Sequence, residues 1–321
     1  MLYVLLLTAL LLLLAAATYA WFSLSHTPRV SDMHMSVSSA AGLKLAPKRD
    51  APDDVWSEVL DFSGLVGSET ELKPATWSVS RGALVTCDYG IDGRLLGDDR
   101  VTLLSDSENA NRSGANAYYV KGTFFAKSDS PVSVSLGDAV EVNDGRGAAG
   151  TYVIGTPLWN QTELRHDDGG LGAETAIRIG LRITKVNPVS GDAIVDSVFY
   201  IYEPNYDSHI GSDRTDDIPT PSIDGGATLI DDAHLIRQTT SSWSEADPVE
   251  SGVTVKTLGR FSSETELFSL ELGEIAAIDL YVWLEGQDAD CTNLIDDARI
   301  IANMHFSADY TSHGGLVNIP D

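Results

Sequence analysis

The feature that most restricts the fold of this chain is the alternation of apolar and polar residues along short segments. Its clearest instance covers residues 278–285, where aliphatic residues alternate with acidic and aromatic ones: Ile278, Leu280, Val282 and Leu284 against Asp279, Tyr281, Trp283 and Glu285. Neighbouring side chains of a strand point to opposite faces, so this spacing predicts a half-buried β-strand. A second strand is predicted over 300–306, with the acidic stretch 286–297 between the two as a loop.

Other segments rich in Ile, Val, Tyr and Phe follow the same pattern. They form two candidate strand pairs, 175–184 with 193–202 and 117–126 with 131–142. Amphipathic helices are rare after residue 21, and residues 53–62 fit either a helix of about three turns or a loop. Many short strands separated by turns rich in Gly, Asn, Asp and Ser predict an all-β fold, an antiparallel β-sandwich or jelly roll.

The first 22 residues form a different pattern, an uncharged run dominated by leucine. About 20 helical residues cross the hydrocarbon core of a bilayer, so the run fits either a membrane anchor or a removable signal peptide. Small residues at 15–20 favour cleavage, although the first cation of the chain is Arg29 and a basic leading region is missing. We therefore expect a hydrophobic helix over residues 1–20. The chain is expected at the cell surface or in the extracellular matrix, with membrane contact only through residues 1–22 if they are retained.

The chain is strongly acidic, because its 321 residues carry 21 Lys and Arg against 47 Asp and Glu, a formal charge of −26. This charge argues against binding to nucleic acid, since no basic stripe is left to neutralise phosphates. The hydrophobic fraction of 43% predicts a folded chain. Each half alone would have few strands, so we predict one domain over residues 40–321, with the polar stretch 206–227 as a surface loop.

Acidic clusters are the recurring chemical feature of the sequence. Oxygen-rich loops suit Ca²⁺, which takes about six to eight oxygen ligands, and Asp288, Asp290 and Asn293 are the first candidates. The competing interpretation is a solvated acidic surface that keeps the chain soluble, since no loop matches an EF-hand. No other cofactor is predicted.

Catalytic motifs are missing from the sequence. It contains no H-E-x-x-H, no G-x-S-x-G and no G-x-x-x-x-G-K, so we predict that the chain is not an enzyme. Two cysteines, Cys87 and Cys291, are too few for a disulfide framework. They fit either one bridge or two separate buried thiols.

Two short segments carry a resemblance to a known family. Thr18–Ser23, at the end of the apolar run, resembles the signal-peptide end of exported TasA/camelysin-like proteins, which a SipW-type signal peptidase cleaves. The resemblance implies cleavage after Ala20, a mature chain that begins at Trp21, and the jelly-roll class. Tyr281–Gly286 followed by Asp290–Asn293 resembles a segment of uncharacterised clostridial-type exported proteins with the same start. Camelysin-like relatives are associated with metalloprotease activity, but the missing zinc-binding helix argues against it here.

The same resemblance implies a structural role. In TasA-like fibres the mature N-terminus of one subunit supplies a strand to the next, and the matching stretch here is the N-terminal extension 21–39. The expected assembly residues are the leading aromatics and the apolar positions of the alternation: Trp21, Phe22, Met33, Met35 and Val37. Donated backbone hydrogen bonds satisfy an open sheet edge. The expected partners are copies of the same chain, and signal peptidase during export.

Two other interpretations stay open. The alternation in 21–39 also fits an ordinary first strand that pairs within its own domain. The second function class is a membrane-tethered or secreted binding module whose exposed aromatics contact a glycan or partner: Tyr118, Tyr119, Tyr281 and Trp283. The competing interpretation places these aromatics in the core or in cross-strand pairs. A camelysin-like metallopeptidase is the least favoured class.

Overall fold

The fold is built almost entirely from β-strands. The computed structural model describes most of the strands and their turns, namely residues 3, 10, 29–39, 42–62, 70–78, 81–86, 101–111, 114–137, 140–141, 147–149, 151–155, 158–160, 163–165, 176–194, 197–202, 244–245, 254–258, 266–286, 288, 291 and 299–311. Helix is limited, among these, to single residues and to α1 (Asp106–Asn109). The predicted all-β class is confirmed.

Two large sheets and a smaller one contain most of the strands. Sheet A has eight: β1 (Arg29–Ser39), β3 (Val59–Asp61), β4 (Thr70–Leu72), β8 (Gly114–Ala117), β10 (Val132–Leu136), β13 (Tyr152–Gly155), β20 (Glu266–Leu270) and β22 (Arg299–Tyr310). Sheet B has seven: β2 (Leu43–Ala46), β9 (Tyr119–Ser128), β16 (Ile177–Val186), β17 (Val198–Tyr202), β18 (Ser244–Glu245), β19 (Thr254–Leu258) and β21 (Ile275–Leu284). Sheet C has three: β5 (Thr76–Ser78), β6 (Ala83–Thr86) and β7 (Thr102–Leu103). Two further pairs are β11 (Val140–Glu141) with β12 (Gly147–Ala149), and β14 (Leu158–Asn160) with β15 (Glu163–Arg165).

Sheets A and B enclose one hydrophobic core, as in a sandwich. Val134, Met304 and Phe306 enter it from sheet A, and Phe124 and Leu280 enter it from sheet B. The rings of Phe124 and Phe306 join the two layers, with centroids 5.9 Å apart. The aliphatic half of the predicted alternation in β21 therefore faces this core, as its period of two requires.

Sheet C covers part of the outer face of sheet B and encloses a second apolar cluster. Trp77 of sheet C stacks on Phe199 with ring centroids 3.9 Å apart, and Tyr281 meets Phe199 edge-on at 5.6 Å. Trp283 is fully buried in the same cluster. The aromatic face of β21 is thus covered as well, so this strand is buried on both faces rather than half-buried.

Most strand pairs are antiparallel, including the predicted hairpin of β16 with β17. The other candidates, 117–126 and 131–142, form strands β9 and β10, but their pairing is wrong because β9 lies in sheet B and β10 in sheet A. Parallel pairs among the described strands are β1 with β22, β4 with β8, and β17 with β19. The helix interpretation of 53–62 is wrong, because residues 53–55 form a turn, Ser57 bridges to Leu45, and β3 follows. Hydrogen bonds to β2 and β1 satisfy this backbone in place of helical ones.

The predicted N-terminal helix is described only in part. Residues 3 and 10 are helical, and the rest of 1–20 lies outside the described residues. Over the part of the chain that the structure describes, no helix combines the length and the apolar character needed to cross a membrane.

Candidate assembly site

The segment predicted as a donor strand lies within the sheet of its own chain. β1 runs parallel to β22 along its whole length, from Arg29 opposite Arg299 to Ser39 opposite Ala308. Its other edge pairs antiparallel with β3 and with β4. β1 is therefore an interior strand of sheet A, with hydrogen-bonded neighbours on both sides.

The register brings the expected assembly positions of β1 beside the buried positions of β22. In order, the paired residues are Met33 with Ala302, Met35 with Met304, and Val37 with Phe306. The three β22 partners are almost completely buried and belong to the main core. The apolar positions of the β1 alternation are therefore in register with core positions of β22. Trp21 and Phe22, the other two expected assembly residues, lie outside the described residues.

β1 precedes every other described strand in the chain. An exchange of β1 would therefore move one end of the described sheets and not a segment between two described strands. The next strand, β2, begins at Leu43 in sheet B, with only three residues between it and Ser39. Gly42 in this connection has φ +74°, a left-handed conformation that glycine adopts without a steric penalty. Departure of β1 would leave β22, β3 and β4 with unpaired edges, which is the kind of slot that an incoming strand fills.

The edge of sheet B at β2 is less open to an added strand. Leu45 exchanges two backbone hydrogen bonds with Ser57, with N···O distances of 2.8 and 2.9 Å. These bonds occupy the outward-facing backbone groups of Leu45, in the middle of this short edge strand. The position of β1 is therefore the better candidate for pairing between copies.

The expected calcium ligand Asp288 is buried in an ion pair. Its Oδ2 lies 2.6 Å from Nη2 of Arg178, and both side chains are at most 2% exposed. Asp290 and Asn293 lie outside the described residues. No three or more His, Cys, Asp or Glu side chains in the described part of the chain come together to hold a metal ion. The guanidinium already neutralises Asp288, and the calcium site stays a prediction.

Sequence analysis did not single out Arg178, although it lies at the centre of this polar cluster. Beside the ion pair, the indole N–H of Trp283 donates to Oε2 of Glu285 at 3.0 Å, and Glu285 is fully buried. The available signal was a cation directly between Ile177 and Ile179, although the same strand also carries Arg182 and Lys185. Such a cation requires a buried carboxylate, and the sequence offers too many carboxylates to choose among.

The expected cysteine bridge has one partner among the described residues. Cys291 is buried in the main core, and its amide donates to the carbonyl of Asp288 at 3.1 Å. Cys87 lies outside the described residues. The bridge therefore stays a prediction.

The aromatic platform expected of a binding module is not exposed. Tyr119, Tyr281 and Trp283 are buried under sheet C, and Tyr118 is half-buried with the ammonium of Lys73 5.8 Å from its ring centroid. The expectation of exposure is wrong for the three buried rings. Their burial depends on the tertiary fold, because the strands of sheet C lie far in the sequence from Tyr281 and Trp283, which they cover.

A charged network lies at the margin of the aromatic cluster. Asp106 accepts hydrogen bonds of 2.6 Å from the hydroxyl of Tyr119 and from Nζ of Lys121, and Lys121 also lies 3.6 Å from Asp279. Burial raises the pKa of Asp106, but the hydrogen bonds from Lys121 and Tyr119 outweigh it and hold that pKa below its usual value. Burial lowers the pKa of Lys121, but the hydrogen bond to Asp106 outweighs it and the net shift is upward. Both charges persist at neutral pH, so this network is suited to joining α1 to β9.

The processing residues Ala20 and Trp21 lie outside the described residues. No protein-family model, curated protein or solved structure matches the chain. The resemblance to TasA/camelysin-like proteins stays a prediction.

Proposed function

We propose that the chain is an exported structural subunit of a cell-surface or biofilm-matrix filament, assembled by strand exchange. In strand exchange, β1 of one copy occupies the β1 position of another. One observation about β1 carries the proposal. β1 is the first described strand in the chain, and it is also an interior strand of sheet A. A strand of this kind completes its own subunit before assembly and a neighbouring subunit afterwards.

The strand itself favours neither the closed subunit nor the exchanged assembly. The backbone hydrogen bonds that β1 makes with β22, β3 and β4 are the same in both. The balance is therefore decided by the 40–42 connection, by new contacts between copies, and by concentration. Assembly is expected to rise steeply with subunit concentration.

Export is part of the proposal. Cleavage between Ala20 and Trp21 frees the leading end of β1, whereas a retained segment 1–22 ties that end to the membrane. A jelly-roll arrangement of the sandwich is also proposed, supported by repeated crossings of the chain between sheets A and B. N-terminal sequencing of the cell-surface protein is expected to start at Trp21, and an intact N-terminus would contradict the export step.

A cysteine pair distinguishes exchange from a closed subunit. Ser38 and Ser307 are Cα partners, so a disulfide between Ser38→Cys and Ser307→Cys reports which copy holds β1. We propose to mix the two single-cysteine variants, each starting at Trp21, and to oxidise them. Exchange gives a disulfide between the two variants on a non-reducing gel. Each variant oxidised alone is the control, and it also accounts for the native cysteines.

Electron microscopy completes the test. The unmodified chain from Trp21 is expected to form filaments above a threshold concentration. Monodisperse particles at every concentration, together with no disulfide between the mixed variants, would overturn the proposal.

A second candidate is a self-contained binding module, secreted or membrane-tethered. The observation that favours it is that β1 already completes its own sheet. It is supported if the double variant S38C/S307C forms its disulfide only within single copies.

A further inference from the structure

One end of the sandwich is formed by connections that cross between sheets A and B. Residues 40–42 join β1 to β2, 129–131 join β9 to β10, and 271–274 join β20 to β21. The strand registers align these connections, because Leu43 pairs with Ser128 and the last residues of β20 and β22 both pair with the first residue of β10. We call this part of the molecule the hinge end.

Exposed apolar side chains collect at the hinge end. Leu272 is 71% exposed on the 271–274 turn, and Tyr310 is 61% exposed at the last residue of β22. Val189 and Ile194, 86% and 51% exposed, follow β16, whose last residue pairs with the first residue of β21. Single exposed apolar residues are ordinary, but several at one end of a domain are typical of a contact surface. We call Val189, Ile194, Leu272 and Tyr310 the hinge-end rim.

The 40–42 connection limits where two exchanging copies can lie. Ser39 and Leu43 are separated by four Cα–Cα steps, so they are at most about 15 Å apart even when the connection is fully extended. In the acceptor copy, the donated Ser39 would lie beside Ala308, at the acceptor's hinge end. In the donor copy, Leu43 lies at the donor's own hinge end. The two hinge ends must therefore face each other.

We propose that strand exchange is reciprocal and joins two copies as a two-fold pair, with the hinge-end rims in contact. This inference rests on the proposed function. The acceptor's own β1 is attached at the acceptor's hinge end, which faces the donor. The nearest empty β1 position in a sheet A is therefore the one in the donor. A third copy would need to place its hinge end where the donor's hinge end already lies. A two-fold contact uses the same surface on both copies, which fits an apolar rim that meets itself. Strand exchange would then form the repeating pair of the filament, and separate contacts between pairs would extend it.

The size of the covalent product tests the two-fold pair. The double variant S38C/S307C, in a chain from Trp21, is oxidised at the concentration at which exchange occurs and run on a non-reducing gel. A two-fold pair gives covalent dimers and no larger products. A ladder of higher oligomers overturns the inference and leaves the proposed function in place, whereas disulfides only within single copies overturn the proposed function as well.

Rim variants test the contact itself. Leu272→Ser with Val189→Ser removes exposed apolar surface, and each change acts twice in a two-fold pair. We expect the dimer dissociation constant to rise at least about tenfold, with no change in the thermal unfolding of the monomer. The matched control is Leu103→Ser, which alters an apolar residue that is 60% exposed on sheet C. Equal dissociation constants for the rim variant and the control would overturn the rim contact.

Discussion

Arg178 and Asp288 form a buried ion pair between β16 and the segment after β21. Asp288→Asn keeps the shape of the side chain but removes the charge beside a guanidinium that has no access to water. We expect the free energy of unfolding to fall by about 3–5 kcal/mol, measured by denaturant unfolding. The matched control is Asp129→Asn, which breaks an exposed pair with Lys44 and is expected to cost less than about 1 kcal/mol. Equal losses would contradict the role of burial.

Gly180 provides space for aromatic rings in the cluster under sheet C. A Cβ at this position would lie 2.5 Å from Cζ of Phe199 and 3.0 Å from Cζ3 of Trp283. Gly180→Ala is expected to lower the free energy of unfolding by about 1–3 kcal/mol, because neither buried ring can move away easily.

Phe199→Leu provides the control for this effect. In the double variant G180A/F199L the smaller side chain makes room for the new methyl group. The loss in free energy of unfolding is therefore expected to be smaller than the sum of the losses in the two single variants. Strict additivity in a double-mutant cycle would show that the loss at Gly180 has another cause.

His305 makes stability depend on pH. Burial lowers its pKa below the ordinary value, so the folded chain binds a proton less readily than the unfolded chain. The contribution of neutral His305 to the free energy of unfolding is complete above the pKa of histidine in the unfolded chain, about 6.5. It is lost as the pH falls below that value and through the lower pKa of the folded chain. We expect His305→Gln to reduce the fall in the free energy of unfolding between about pH 7.5 and pH 5.5. An unchanged slope in denaturant titrations at several pH values would argue against this contribution.

The proposed strand exchange requires that β1 can be supplied to sheet A from another molecule. A chain that starts at Ala40 loses the interior strand of sheet A and is expected to unfold at a lower temperature. A synthetic peptide of residues 29–39 is expected to bind this chain and raise its unfolding temperature, because it restores the hydrogen bonds with β22, β3 and β4.

The control peptide has the same composition in scrambled order, which breaks the alternation of Met33, Met35 and Val37. Differential scanning fluorimetry with increasing peptide concentration provides the measurement. Equal stabilisation by both peptides, or by neither, would contradict a strand that can be supplied from another molecule.

At the scale of the whole molecule, the formal charge of −26 opposes contact between copies. Salt screens this repulsion, since the Debye length falls from about 30 Å at 0.01 M to about 8 Å at 0.15 M ionic strength. We expect the threshold concentration for assembly, measured by sedimentation, to fall as NaCl is raised over this range. A threshold that rises with salt would indicate attraction between charges instead.

Calcium and magnesium at equal ionic strength separate screening from specific binding. Equal effects of the two ions indicate screening alone. A larger effect of calcium would support the predicted site at Asp288, Asp290 and Asn293, since Ca²⁺ accepts irregular oxygen cages better than Mg²⁺ does.

The sequence alone determined the class of the fold and the inward faces of several strands. In β21, the alternation identified Ile278, Leu280 and Val282 as core residues, and the structure confirms them. The same reasoning identified the hairpin of β16 and β17. It succeeded because the period of two is a property of neighbouring residues, and no knowledge of the partner strand is needed to read it.

Which strands are neighbours follows from the folding of the whole chain and not from any one segment. The parallel pairing of β1 with β22 joins the two ends of the described chain, and the pair of Arg178 with Asp288 joins residues 110 positions apart. Sheet C likewise buried the aromatic face of β21, which the alternation alone assigned to the exposed side. Alternation shows that a strand has an apolar face, but many distant segments can cover that face. The choice among them depends on the packing of the whole core, which no local stretch of sequence contains.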